Sequence, residues 1–109
     1  MNCGIYTRTA AADAGRLAGQ REAAEAYIAR EGLAVLPDRY DDDGVSGNTA
    51  DRPGLRRLMA DVAAGKVGRV VVESFDRLAR CQTVFAELLA FLRSHGAEVV
   101  AVTERGGAA

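Results

Sequence analysis

Along this chain, short runs of unbroken apolar residues alternate with longer stretches whose apolar positions recur every three or four residues. The short runs lie within residues 3–6, 33–36, 69–73 and 97–102, the third being Val70, Val71 and Val72 between Arg69 and Glu73, and the last interrupted only by Glu98. Runs of this length without polar alternation fit strands covered on both faces. Between the first two, Leu17, Ala24, Tyr27 and Ile28 share one helical face and predict a helix over residues 17–30, closed by Gly32. Pro53 opens a second helix with Leu55, Leu58, Met59, Val62 and Ala63 as its core stripe, and Gly65 stops it. Phe85, Leu88, Leu89 and Leu92 line a third, which ends at His95 and Gly96. Residues 10–19 are small and polar and predict a mobile loop. Residues 41–50, with three consecutive aspartates and two glycines, predict the most pronounced loop.

The predicted order is therefore β-α-β-α-β-α-β. It defines an α/β fold of three layers: a mostly parallel four-stranded sheet with helices on both faces. Ligands on such sheets bind beyond the carboxyl ends of the strands. Arg8, the loop at 41–50 and residues 76–80 each follow a predicted strand, so topology brings three separate segments to one sheet edge. No internal repeat or linker interrupts the pattern. One domain is expected over residues 1–104, with a flexible tail at 105–109.

Size and charge narrow the picture. With 109 residues there is enough chain for one domain with a real core. A net charge of −1 gives no long-range attraction to nucleic acid, so anion binding must come from local clustering of arginines. Cys3 and Cys81 form no disulfide framework and read as structural thiols. No apolar run approaches a membrane span of roughly 20 residues, and the N-terminus lacks a secretion-signal layout, so a cytoplasmic location is expected.

The cationic candidates are Arg8, Arg52, Arg77 and Arg80. Guanidinium groups pair bidentately with phosphate and stay charged at any biological pH, as a phosphoryl-transfer site requires. Arg77 and Arg80 are three residues apart and would share a face of one helical turn. Asp76 either orients these arginines and handles a proton or caps a helix N-terminus. Ser46 and Gly47 fit a phosphate contact; Ser46 lacks an evident base and is weak as a nucleophile. Asp41, Asp42 and Asp43 fit a solvated loop far better than a magnesium site. His95 fits a helix cap. One histidine and two distant cysteines make no zinc site, and no Walker or dinucleotide motif is present.

Five stretches, in order, resemble the catalytic domain of the serine recombinases (resolvases and invertases). They are Ile5, Tyr6, Thr7 and Arg8; Gln20, Arg21 and Glu22; residues 42–47 (Asp-Asp-Gly-Val-Ser-Gly); residues 51–55 (Asp-Arg-Pro-Gly-Leu); and residues 76–80 (Asp-Arg-Leu-Ala-Arg). The resemblance spans nearly the whole chain. It implies site-specific DNA recombination in which a serine two residues after the first arginine attacks a DNA phosphate. That reaction needs neither metal nor nucleotide cofactor. The resemblance further implies that Arg8 binds the scissile phosphate, that Arg77 and Arg80 stabilise its developing charge, and that Asp76 and Arg52 support the site. Gln20, Asp43 and Ser46 would be secondary phosphate or DNA contacts.

The chain departs from the family pattern in two ways. The nucleophile position holds Ala10, and loss of a nucleophile costs on the order of 10⁶ in rate in a well-studied hydrolase. Neighbouring Thr9 points to the other side of the strand by period-two alternation and is a poor substitute. A natural or an engineered alanine would read alike. Family members also continue into a long dimer helix and a separate DNA-binding domain; this sequence shows neither and reads as a shortened chain or a stand-alone remnant. The implied partners are DNA, weakly bound by this chain alone, and a second copy or an active recombinase. Three functions follow in order: a recombinase catalytic domain unable to cleave as it stands, a naturally inactive domain acting through protein–protein interaction or regulation, and an enzyme on another phosphate substrate.

Overall fold

The computed structural model describes residues 2–49 and 51–103. The first strand, β1 (Asn2–Thr9), is central. It is followed by α1 (Ala14–Glu31), β2 (Ala34–Val35), β3 (Tyr40–Asp43), α2 (Pro53–Ala63), β4 (Arg69–Val72), α3 (Phe75–Leu78), α4 (Gln82–Ser94) and β5 (Glu98–Ala101). The sheet runs β2-β1-β4-β5, with β3 paired to the second half of β1, and every pairing is parallel.

Period-two alternation in the strands splits the core between the two sheet faces. Cys3, Ile5 and Val71 pack against Ala24 and Ile28 of α1. Tyr6, Val70, Val72 and Val99 point the other way, onto Leu55, Leu58 and Val62 of α2 and Leu88 and Leu92 of α4. Helices therefore cover both faces, as the hydrophobic pattern implies. Cys3 is buried in the core and Cys81 is the N-cap of α4. His95 is the C-cap of the same helix.

Several local expectations are corrected. The sheet has five strands, because residues 40–43 form β3 and not a loop. Side chains from β1 satisfy its aspartates: the Thr7 hydroxyl donates to Asp41 at 2.5 Å, Tyr6 to Asp42 at 2.7 Å, and Thr9 to Asp43. Successive aspartates thus face opposite sides of the strand and do not converge on a cation. Helix α1 begins at Ala14, three residues earlier than expected, because the Asp13 side chain accepts from the Arg16 N–H at 3.1 Å. Strand β2 is only two exposed residues long, and Ala63 at the end of the α2 stripe is exposed. Arg77 and Arg80 do not share a helical face. Helix α3 ends at Leu78, Ala79 is extended, and the Arg80 N–H donates to the Gly47 carbonyl at 3.0 Å instead of continuing the helix. Ser74, not Asp76, is the N-cap of α3. Ala50 and the tail predicted at 105–109 lie outside the described residues, as does the expected domain end at 104.

Candidate phosphate-binding site

The carboxyl ends of β1 and β4 and the loop after β3 meet at one rim. The Arg8 guanidinium touches all three. Its Nε donates to the Arg77 carbonyl at 3.0 Å, NH1 to Val45 at 2.9 Å and NH2 to Asp76 at 2.7 Å. Arg8 is 1% exposed. One side chain thus clasps the loop after β3 and helix α3 onto the end of β1. Gly47 permits this closeness: a Cβ there would stand 2.8 Å from Arg8 Cζ and 2.7 Å from Arg80 Cγ.

Arg52 forms a second clasp behind the first and is fully buried. It donates to the Thr49 and Leu78 carbonyls, both at 2.6 Å, and to Tyr6 Oη at 3.0 Å. Tyr6 passes its own proton towards Asp42, whose two oxygens also accept the Gly54 and Leu55 N–H groups at 2.7 and 3.0 Å. Asp42 therefore caps α2 from another strand, a task that the N-cap residue Arg52 leaves undone. Burial foremost pushes the Tyr6 phenol well above its ordinary value, so it stays a neutral donor.

Gln20, Asp43 and Ser46 hold protein groups. The buried Gln20 amide accepts from the Arg8 N–H at 3.0 Å and donates to the Arg8 carbonyl at 2.9 Å, completing the backbone pairing of that residue. Asp43 accepts from the Thr9 hydroxyl and from the Asp13 N–H, the latter at 2.8 Å, closing the loop that carries Ala10. These two bonds, Thr9 first, hold its carboxyl below the usual range. The Ser46 hydroxyl accepts from the Asn48 N–H at 3.1 Å and stays exposed. Thr9 is 3% exposed and its hydroxyl also accepts from the Gly44 N–H, so that hydroxyl is turned to protein groups.

What remains open is a polar hollow of about 320 Å³, lined by Arg8, Thr9, Ala10, Ala11, Arg16, Asp76, Arg77 and Arg80. Ala10 is exposed at its wall. Four arginines face one aspartate there. Arg77 is half-buried and is partly offset by Glu73, 3.3 Å away. Burial, and then the neighbouring Arg52 charge, lower the Arg8 pKa, with Arg77 and Arg80 acting in the same direction. A site that already strains against its own positive charge favours an entering anion. A second hollow of about 590 Å³, lined by Ala10, Gly44, Ser46, Gly47, Asn48 and Arg80, adjoins the first through Ala10 and Arg80.

Arg16 was not among the sequence candidates. The Asp13 cap was its only local signal, and the small residues around it suggested a loop. Among the described residues no group of three or more histidine, cysteine or acidic side chains is placed to hold a metal ion, and no helix is long and apolar enough to cross a membrane.

An α/β domain with an arginine-lined hollow at the carboxyl rim of a parallel sheet is a class with many members. Comparison with known proteins narrows it. The profile of the family described as Resolvase, N terminal domain, matches residues 3–108, and the chain belongs to that family. Over 55 residues it is 46% identical to a resolvase of Escherichia coli, a match covering 50% of this chain and 24% of that protein. The matched segment thus spans about a quarter of that curated relative. The N-terminal catalytic domain of TP901-1 integrase superposes with a TM-score of 0.87 at 24% identity, over 94% of this chain and 78% of that one. A resolvase-family site-specific recombinase from Streptococcus pneumoniae gives 0.79 at 23% identity, over 94% and 72%. These two establish the shared fold. The C-terminal catalytic domain of IS1535 TnpA, an IS607-like serine recombinase, gives 0.70 at 29% identity, over 92% and 70%. The chain is a serine-recombinase-like domain.

Proposed function

We propose that the hollow around Ala10 binds a DNA phosphodiester, and that this cytoplasmic domain takes part in site-specific recombination without cutting DNA itself. The observation that carries this reading is the placement of Ala10. It is exposed in the wall of a hollow shared with Arg8, Arg16, Arg77, Arg80 and Asp76. In this reading the arginines stabilise charge on the nonbridging oxygens, and Asp76, exposed at the rim, handles a proton. A serine at position 10 would supply the missing step: its Oγ forms a bond to phosphorus, the P–O3′ bond breaks, and the 3′ oxygen leaves as a hydroxyl after taking up a proton. The methyl group of Ala10 offers no lone pair for that step. DNA is bound weakly by the domain alone and more firmly through a partner subunit, either a second copy or an active recombinase.

The test is a suicide substrate, a nicked duplex carrying a recombination site, incubated with wild type and with Ala10→Ser. A covalent protein–DNA adduct with Ala10→Ser, and none with wild type, is the expected result. If neither forms an adduct and inorganic phosphate leaves the amides around the hollow unmoved, the phosphodiester reading fails.

A further inference from the structure

The arginines around the hollow differ in what they still have to offer. Arg8 commits all three of its guanidinium nitrogens to main-chain carbonyls. Arg77 pairs with Glu73. Among the described residues, the guanidinium groups of Arg16 and Arg80 have no hydrogen-bond or ion-pair partner. Both are exposed and both line the hollow, Arg80 arriving from the segment after α3 and Arg16 from the first turn of α1. The backbone of Arg16 is nevertheless held in place. Its N–H is capped by Asp13, and the Asp13 N–H is held by Asp43, which also holds Thr9. A free, planar, five-donor cation on an anchored backbone, lining the same hollow as a second one, suits a phosphate group.

Resting on the phosphate-binding reading above, we propose that Arg16 is a direct phosphate-contacting residue, closing on the bound anion from the α1 side while Arg80 holds it from the other. The two flexible side chains provide the attraction, and the clasped Arg8 provides a fixed charge at the floor. Binding orders Arg16 and Arg80 against each other.

Inorganic phosphate titrated into the ¹⁵N-labelled full chain tests this, using wild type, Arg16→Gln, Arg80→Gln and a control, Arg56→Gln. Arg56 is exposed on α2, pairs with Asp51 and lies outside the hollow, so the control removes the same charge elsewhere. In wild type, shifts should centre on the amides of Ala10, Ala11, Arg16 and Arg80. Arg16→Gln should weaken binding about five- to tenfold, Arg80→Gln at least as much, and Arg56→Gln less than about twofold. Arg16→Lys, which keeps the charge but loses the fork, should fall between Gln and wild type. Arg16→Gln behaving like Arg56→Gln, while Arg80→Gln binds poorly, overturns the role of Arg16 and leaves the phosphate site standing. No shift at the hollow in wild type removes the site and the proposal together.

Discussion

Two pairs of arginines at the rim, Arg8 with Arg52 and Arg16 with Arg80, are the same side chain in two physical situations. The first pair is buried, with every guanidinium nitrogen hydrogen-bonded; the second is exposed and unpartnered among the described residues. A buried guanidinium is costly unless its donors are met, and here they are met by groups from several segments of the rim. These arginines therefore build the rim, while the exposed ones keep their donors free for the proposed anion. Residue type alone does not reveal which arginine does which task.

The largest expected effect is at Arg52. Arg52→Ala strands the Thr49 and Leu78 carbonyls and removes the donor to Tyr6 Oη in one step. It should cost about 3 kcal/mol or more, against a total of roughly 5–15 kcal/mol for a domain. Urea unfolding should show the midpoint falling accordingly. Arg52→Lys should recover little, since one ammonium cannot span these acceptors. A midpoint within error of wild type would erase the distinction between the two pairs.

That distinction was not legible in the sequence, and the reason is physical. The alternation of apolar runs exposed the parallel sheet, the three long helices and the rim where Arg8 and residues 76–80 meet, because burial leaves a periodic trace. Partners distant in sequence leave none. Asp42 looks like one of three solvated acids until Tyr6, Gly54 and Leu55 close on it from 36, 12 and 13 residues away. Strand β3 was hidden for the same reason, since its polar side chains are satisfied by hydroxyl groups of β1. Nor does the sequence show that Gln20 braces the Arg8 backbone through both its N–H and its carbonyl. Arg16 could have been found from Asp13 three residues earlier, a usual helix-start signal.

A smaller effect is expected at Gly47, where the two pairs touch. An alanine methyl would collide with both Arg8 and Arg80. Gly47→Ala should cost about 1–3 kcal/mol, as overpacking does, and should also weaken phosphate binding, coupling the structural arginine to the exposed one. Urea unfolding and phosphate titration on one sample check both halves. Loss of stability with unchanged phosphate affinity would show that the clasp does not set the geometry of the hollow.

Arg80→Ala should leave stability within about 0.5 kcal/mol of wild type, as an exposed side chain without partners among the described residues should. Under the phosphate-binding proposal its contribution lies in anion affinity, and rising salt should weaken that affinity in wild type. A large drop in the unfolding midpoint would move Arg80 into the structural group.

The smallest effect is one of pH, at the carboxylate that anchors the loop between the two pairs. Bonds from Thr9 and Asp13 hold the Asp43 carboxyl below its usual range. A group depressed in the folded state stabilises the fold fully above its unfolded value, near pH 3.9 for aspartate. That contribution is lost as the pH falls through the lower folded value, where both states carry the proton. Asp43→Asn keeps an acceptor oxygen but cannot titrate. The stability difference between wild type and Asp43→Asn should therefore be constant from neutral pH down to about 4 and shrink below it. Unfolding midpoints measured across that range give the difference directly, with the other carboxylates cancelling between the two proteins. Parallel curves throughout the acid range would mean that Asp43 is not the clamp on the loop carrying Ala10, and that the anchored position of Arg16 has another source.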